Sequence, residues 1–269
     1  MRLDLNRHFR APKVPEIDGA FWIIKLLTTA MGEATSDYFV HHFNPELVVV
    51  TGGVVFLVAL WWQLRAPRYL IGTYWIAVVM VAVFGTMCAD VAHVGFGIPY
   101  VVSTSTFAVV LAAVFVSWHR VEHTLSIHSI TTTRRELFYW ATVLSTFALG
   151  TALGDMTANT LHLGYLTSGV LFTVAFCLPA IGYGIFGLNS VAMFWTAYVL
   201  TRPLGASFAD YLGMPHSVGG RAWGPGNVAL LFSALIVLGI SYLLARYHRA
   251  RRAARLTPRA SRGTSPWIG

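Results

Sequence analysis

One pattern occurs four times at one spacing: an aromatic residue, Trp, nine residues, Gly, four residues, Asp. The copies are "FWIIKLLTTAMGEATSD" (21–37), "YWIAVVMVAVFGTMCAD" (74–90), "YWATVLSTFALGTALGD" (139–155) and "FWTAYVLTRPLGASFAD" (194–210). Self-similarity of this kind marks a repeated supersecondary unit and limits the chain to folds assembled from copies of it. Each copy lies in an apolar stretch of about 20 residues, the length that crosses a hydrocarbon core. A plainer apolar stretch follows each one. The eight stretches run over roughly 20–40, 46–64, 69–90, 99–118, 137–158, 163–185, 190–212 and 226–246. With 11% charged and 56% hydrophobic residues, against about 25% charged in soluble domains, the chain reads as an integral membrane protein.

The expected fold is all-α: a polytopic membrane protein of eight transmembrane helices, arranged as four parallel two-helix repeats (about 19–66, 69–118, 135–186 and 190–247). One transmembrane domain, 19–248, follows a cytoplasmic segment, 1–18, and precedes a basic tail, 249–269, expected to be disordered. A unit with an even number of spans returns to its starting side, so the copies share one orientation about an axis along the membrane normal. A closed pseudo-four-fold bundle is the simplest arrangement. A pseudo-two-fold pairing of halves, split at the polar linker 119–136, is the other. The first apolar stretch carries the motif, so it is not expected to be a cleaved leader. Cys88 and Cys177 fall inside spans, where no disulfide is expected.

The net charge of +8 follows topology and does not point to nucleic acid. Of the 19 Lys and Arg, 16 fall before span one, between spans two and three, between four and five, or after span eight. The positive-inside rule then places both termini in the cytoplasm. The expected partners are the lipid bilayer and, at the tail, anionic lipids; the oligomeric state is left open.

Together with "KVPEIDGAFWIIKLLTTAMGEATSDY" (13–38), the motif resembles a bacterial family of integral membrane proteins built from four tandem repeats of unknown function, each with two transmembrane segments and a characteristic tryptophan. The resemblance spans about residues 13–248. It implies the architecture and a bacterial inner membrane, and it implies no activity.

Function must come from the motif positions. Trp22, Trp75, Trp140 and Trp195 suit an interfacial belt or helix packing. Gly32, Gly85, Gly150 and Gly205 suit close helix approach. Pro203 suggests a bend or break in the seventh span. Asp37, Asp90, Asp155 and Asp210 are different, because an apolar side chain would pack better at each. The residues four before them, Glu33, Thr86, Thr151 and Ala206, share their helix face and continue a polar or small stripe. Each Asp also lies near a helix C-terminus, where the macrodipole disfavours a carboxylate unless a cation or proton compensates.

Four such ends around one axis would form an acidic chamber of the kind that recruits cations. The same aspartates, with His93 and His162, are candidate ligands for a divalent metal ion. Lys25 and Arg202 are the intramembrane bases, and either can pair with Glu33 or an aspartate. Lys25 lies close enough to the inner interface to snorkel. The leading expectation is a transporter or channel for cations, either metal ions or protons. The alternatives are an intramembrane metal-dependent enzyme and a structural or regulatory protein whose aspartates fasten their own hairpin turns.

Overall fold

Local chemistry sets the helix starts. Asp18, Asn44, Thr132 and Asn189 each accept a hydrogen bond from a backbone N–H in the first turn that follows, satisfying donors that have no partner within the helix. The computed structural model describes residues 11–256 and contains eight long helices: α1 (Gly19–His42), α2 (Pro45–Arg65), α3 (Ile71–Asp90), α4 (Tyr100–Glu122), α5 (Thr133–Asp155), α6 (Gly164–Phe186), α7 (Ser190–Gly213) and α8 (Pro225–Leu256). The described residues contain no strand. α3 and α5 each run on into a wider π turn, Val91–Gly95 and Met156–Thr160, closed by bonds from Phe96 N to Val91 O (3.0 Å) and Leu161 N to Met156 O (2.9 Å). α7 stays continuous through Pro203, so the expected break is absent.

The odd-numbered helices form a closed inner ring in which α1 packs on α3, α3 on α5, α5 on α7 and α7 on α1. The even-numbered helices lie outside it. Each leans on the odd helix of the next repeat: α2 on α3, α4 on α5, α6 on α7 and α8 back on α1. Contacts within a repeat are lighter, so the copies interlock and do not stand as separate hairpins.

The four motif glycines are the seats of this ring. A Cβ at Gly32 would lie 2.7 Å from the Cβ of Ala82. One at Gly85 would collide with Phe147, one at Gly150 with Arg202, and one at Gly205 with Thr29. The four intruding residues, Thr29, Ala82, Phe147 and Arg202, all stand seven after their own motif Trp. One contact is therefore used four times around the ring, from each repeat to the next and from the fourth back to the first. This supports the pseudo-four-fold arrangement over a pairing of halves.

Among the described residues, six helices are long and apolar enough to cross a membrane: α2, α3 with its π turn, α4, α5 with its π turn, α6 and α8. α1 and α7 are not, by composition, because they carry Lys25, Glu33, Asp37, Arg202 and Asp210. The even helices bury few residues and expose apolar ones such as Val54, Leu57, Val109, Val174, Leu230 and Val237. A surface this apolar belongs against lipid, and the chain is a membrane protein.

At the end where the described residues begin and finish, aromatic side chains close the bundle. Trp75, Trp140 and Trp195 are buried in the bundle and do not form an interfacial belt; Trp22 is partly buried. Tyr74, Tyr139 and Tyr198 fill the axis beside them, with the Tyr74 and Tyr139 hydroxyls 2.6 Å apart. Beyond this layer, the N-terminal segment is tied into the bundle. Lys13 donates to Glu136 (2.6 Å) and to the carbonyl of Leu64 (3.0 Å), and Gln63 donates to the other Glu136 oxygen (2.9 Å). The polar stretch 119–136 is no free linker, because Ile127 and Ile130 are buried and Ile130 O accepts from Lys13 N. α8 continues to Leu256, so residues 249–256 of the basic tail are helical; residues 1–10 and 257–269, including the rest of that tail, lie outside the described ones.

Lys13→Met removes two bonds from a buried ammonium. A loss of about 2–3 kcal/mol is expected, at the scale of hydrogen bonds to charged groups, measured by unfolding in detergent. Stability equal to the unaltered protein would show that the segment is not part of the bundle.

Candidate functional site

Half-way along the axis, each repeat contributes one residue to a single polar knot. The positions directly after the motif glycines, Glu33, Thr86 and Thr151, point inward from α1, α3 and α5. In α7 the equivalent residue is Ala206, and the space is filled by Arg202, one turn earlier. Its Nη2 donates to Glu33 and to the hydroxyls of Thr86 and Thr151 (2.6 Å for Thr151). Its Nη1 donates to the carbonyl of Thr29 (2.9 Å). Arg202 and Thr151 are fully buried and Glu33 nearly so. A guanidinium suits this place because its fixed fork can serve several acceptors at once.

Below the knot, toward the sealed end, Lys25 is 1% exposed and does not snorkel to the interface. Its ammonium lies 4.1 Å from the ring centre of Phe147 and 4.4 Å from that of Tyr198. It has no hydrogen-bond partner. Cation–π attraction from two rings replaces part of its lost hydration. Thr28, Thr146 and Thr201 bond the carbonyls three residues back in their own helices.

Above the knot stand the four aspartates, one turn further along each odd helix. They gather from all sides of the axis. Carboxylate oxygens of Glu33, Asp37 and Asp210 lie within 4.8 Å of one another. Asp90 accepts from Ser36 Oγ of α1 at 2.9 Å, a bond between helices. Asp155 Oδ2 is 3.6 Å from His93 Nδ1, in the π turn after α3. Asp37, Asp90 and Asp155 are half-buried and Asp210 is buried. The small residues before them, Ser36, Ala89, Gly154 and Ala209, are buried in the contacts that bring these ends together.

Two features decide the chemistry. No described hydrogen bond carries an aspartate side chain to the turn of its own repeat, so the hairpin-fastening alternative loses its support. And among the described residues no Lys or Arg pairs with any of the four aspartates, since Arg202 is committed to Glu33 and Lys25 to aromatic rings. The other histidines that follow the repeat aspartates do not join the site: His41 and His42 are exposed and bond their own helix backbone, His162 is exposed, and His216 bonds the carbonyl of Gly220.

The model of a family described as Repeat of Unknown Function (DUF347) matches residues 20–69, 73–124, 138–183 and 193–250. The chain belongs to this family. Its four matched segments each open within two residues of a motif Trp and span one odd and one even helix, the unit that the ring repeats. No curated protein and no solved structure matches the chain.

Sequence reasoning read Ser36 only as a small residue for tight contact beside the carboxylates, and missed Ser103, Lys13, Gln63 and Glu136. Ser36 stands next to Asp37, and Ser103 lies in the first turn of α4, ten residues after His93. None of the five repeats across the copies, so the motif gives no signal for them. The scarcity of acids does: the chain has 11 Asp and Glu in all, and a glutamate at 136 in so apolar a protein asks for a partner.

Proposed function

We propose that this protein is a membrane carrier for cations, metal ions or protons, which enter the bundle through the chamber of repeat aspartates. The observation that carries this reading is the absence, among the described residues, of any Lys or Arg partner for those four carboxylates. Five acids (Glu33, Asp37, Asp90, Asp155 and Asp210) face two internal bases, and one base is held away from them in an aromatic cage. Four helix C-termini add their negative ends. Such a place favours whatever positive charge can reach it.

A carrier fits better than an open pore. The axis below the chamber is filled by Arg202, Lys25 and the buried tyrosines and tryptophans. Passage therefore requires a rearrangement of the ring. Glu33 is the natural pivot, because it faces both Arg202 and the Asp37–Asp210 pair. A cation arriving between those carboxylates competes with the guanidinium for Glu33.

All eight helices span the membrane in this reading, with α1 and α7 shielded from lipid by the outer helices. Lys13, Arg65, Arg68, Arg134, Arg135 and the α8 arginines lie at the end with the termini, which the positive-inside rule assigns to the cytoplasm of a bacterial inner membrane. The basic end of α8 rests on anionic lipid heads.

Flux in proteoliposomes tests the proposal. The unaltered protein is expected to move a divalent metal ion or protons down a gradient, and the variant with all four aspartates changed to asparagine is expected to fall to the protein-free rate. Selective flux that survives the four substitutions would contradict it.

A further inference from the structure

We propose that the chamber is built for a first-row divalent transition-metal ion, held between His93 Nδ1 and the Asp155 carboxylate. The inference rests on the cation reading above and names the class of cation.

His93 is more than nine-tenths buried, and its Nδ1 has no hydrogen-bond partner among the described residues. Its other nitrogen, Nε2, lies 2.6 Å from Ser103 Oγ, a hydroxyl that can itself donate to the carbonyl of Tyr100, 3.0 Å away. When it does so, Ser103 Oγ accepts and the imidazole proton sits on Nε2. The edge of Tyr100 packs against the ring, with centroids 4.5 Å apart, and holds its orientation. In that tautomer Nδ1 carries a bare lone pair.

That lone pair faces Asp155 Oδ2 at 3.6 Å. The gap is too wide for a hydrogen bond. Two acceptors facing each other repel unless a positive charge, a proton or a metal ion, lies between them. The separation suits a metal: two ligand atoms, each about 2.0–2.2 Å from one ion at right or tetrahedral angles, stand roughly 3.0–3.5 Å apart. An imidazole whose far nitrogen donates to an orienting group is the usual form of a metal-binding histidine. Imidazole nitrogen selects ions such as zinc, cobalt and nickel over magnesium and calcium, which prefer oxygen.

The histidine sits where the fold departs from its own symmetry. The π turn after Asp90 rolls the next residues over by part of a turn, and such turns recur at functional sites. α1 and α7 have no such turn after Asp37 and Asp210.

Cobalt(II) titration of the full chain in detergent tests the assignment through the visible ligand-field bands of the bound ion. The unaltered protein is expected to bind one cobalt with bands shifted by nitrogen ligation, displaced by zinc and untouched by a hundredfold excess of magnesium or calcium. His93→Gln is expected to weaken binding at least tenfold and to remove the shift. Ser103→Ala, which frees the tautomer, is expected to weaken it about tenfold, while His162→Gln leaves it unchanged. Equal displacement of cobalt by magnesium, a measurement on the unaltered chain, would overturn the proposal. So would unshifted bands, or His93→Gln binding cobalt as tightly as before. Flux of protons or magnesium with no cobalt site would leave the carrier reading standing without this one; cobalt binding with no flux of any cation would do the reverse.

Discussion

Arg202→Met is expected to destabilise the bundle by about 3–5 kcal/mol, the range found when one partner of a buried ion pair is removed. The loss does not come mainly from the attraction between Arg202 and Glu33. It comes from what is left behind: a nearly inaccessible carboxylate at the centre of four helices, with two threonine hydroxyls as its remaining hydrogen-bond donors and the Asp37 and Asp210 carboxylates close by. The unfolding midpoint in detergent reads this. Removing the stranded charge as well, in Arg202→Met with Glu33→Leu, is expected to recover most of the loss, because buried pairs replaced by apolar groups of similar volume are often close to neutral. Arg202→Lys is expected to stay near the methionine variant. A single ammonium cannot reach the Thr29 carbonyl while holding Glu33, Thr86 and Thr151. If Arg202→Met unfolds with the unaltered protein, or the added Glu33→Leu makes matters worse, the knot is not what joins the four repeats.

Gly205→Ala comes next, with an expected loss of about 3 kcal/mol, at the upper end of overpacking costs. A single methyl there meets the Thr29 side chain and lies 2.9 Å from the backbone nitrogen of Ala30. Backbone cannot yield as a side chain end can, so α7 must move away from α1, and the ring is closed there. Gly205→Leu is expected to abolish the folded protein. Gly184, in the exposed part of α6, is the control: an added Cβ meets nothing within 4 Å. Gly184→Ala should leave stability unchanged or raise it by roughly 0.5–1 kcal/mol, the helix preference of Ala over Gly. Equal effects at the two glycines would mean that the seats are loose and the ring open.

These two residues also show how far the sequence speaks. The eight helices could be read from apolar length and the four copies from the motif, and the observed helix ends fall within a few residues of the expected ones, apart from the starts and ends lengthened by polar turns, as in α5 and α8. The face of each odd helix was legible too, because Glu33, Thr86 and Thr151 stand four before their aspartates and share their side. What periodicity does not contain is the neighbour across the gap. That Gly150 seats Arg202, or that α2 leans on α3 and not on α1, depends on how repeats interlock.

Lys25 misled for a related reason. Its depth allowed a path to the interface, but its direction, inward between Phe147 and Tyr198, is set by helix rotation within the ring. His93 and His162 looked alike in sequence, three and seven residues past an aspartate. The π turn buries the first, while the second reaches the exposed left-handed corner before α6 (φ 56°). The Lys13–Gln63–Glu136 lock joins residues up to 123 positions apart, and nothing local announces it.

Cation entry depends on the repeat aspartates sharing one chamber, and cross-linking measures that directly. With Cys88 and Cys177 changed to serine, cysteines are placed at Asp37 and Asp210 and treated with a short bifunctional thiol reagent. Peptide mass spectrometry of the product is expected to show residues 37 and 210 joined within one chain, in membranes as in detergent. A matched pair at Trp62 and Asp210, at opposite ends of the bundle, is expected to stay unlinked. Failure of 37 and 210 to join, with both thiols reacting singly, would show that the acidic ends stand apart and would contradict the account.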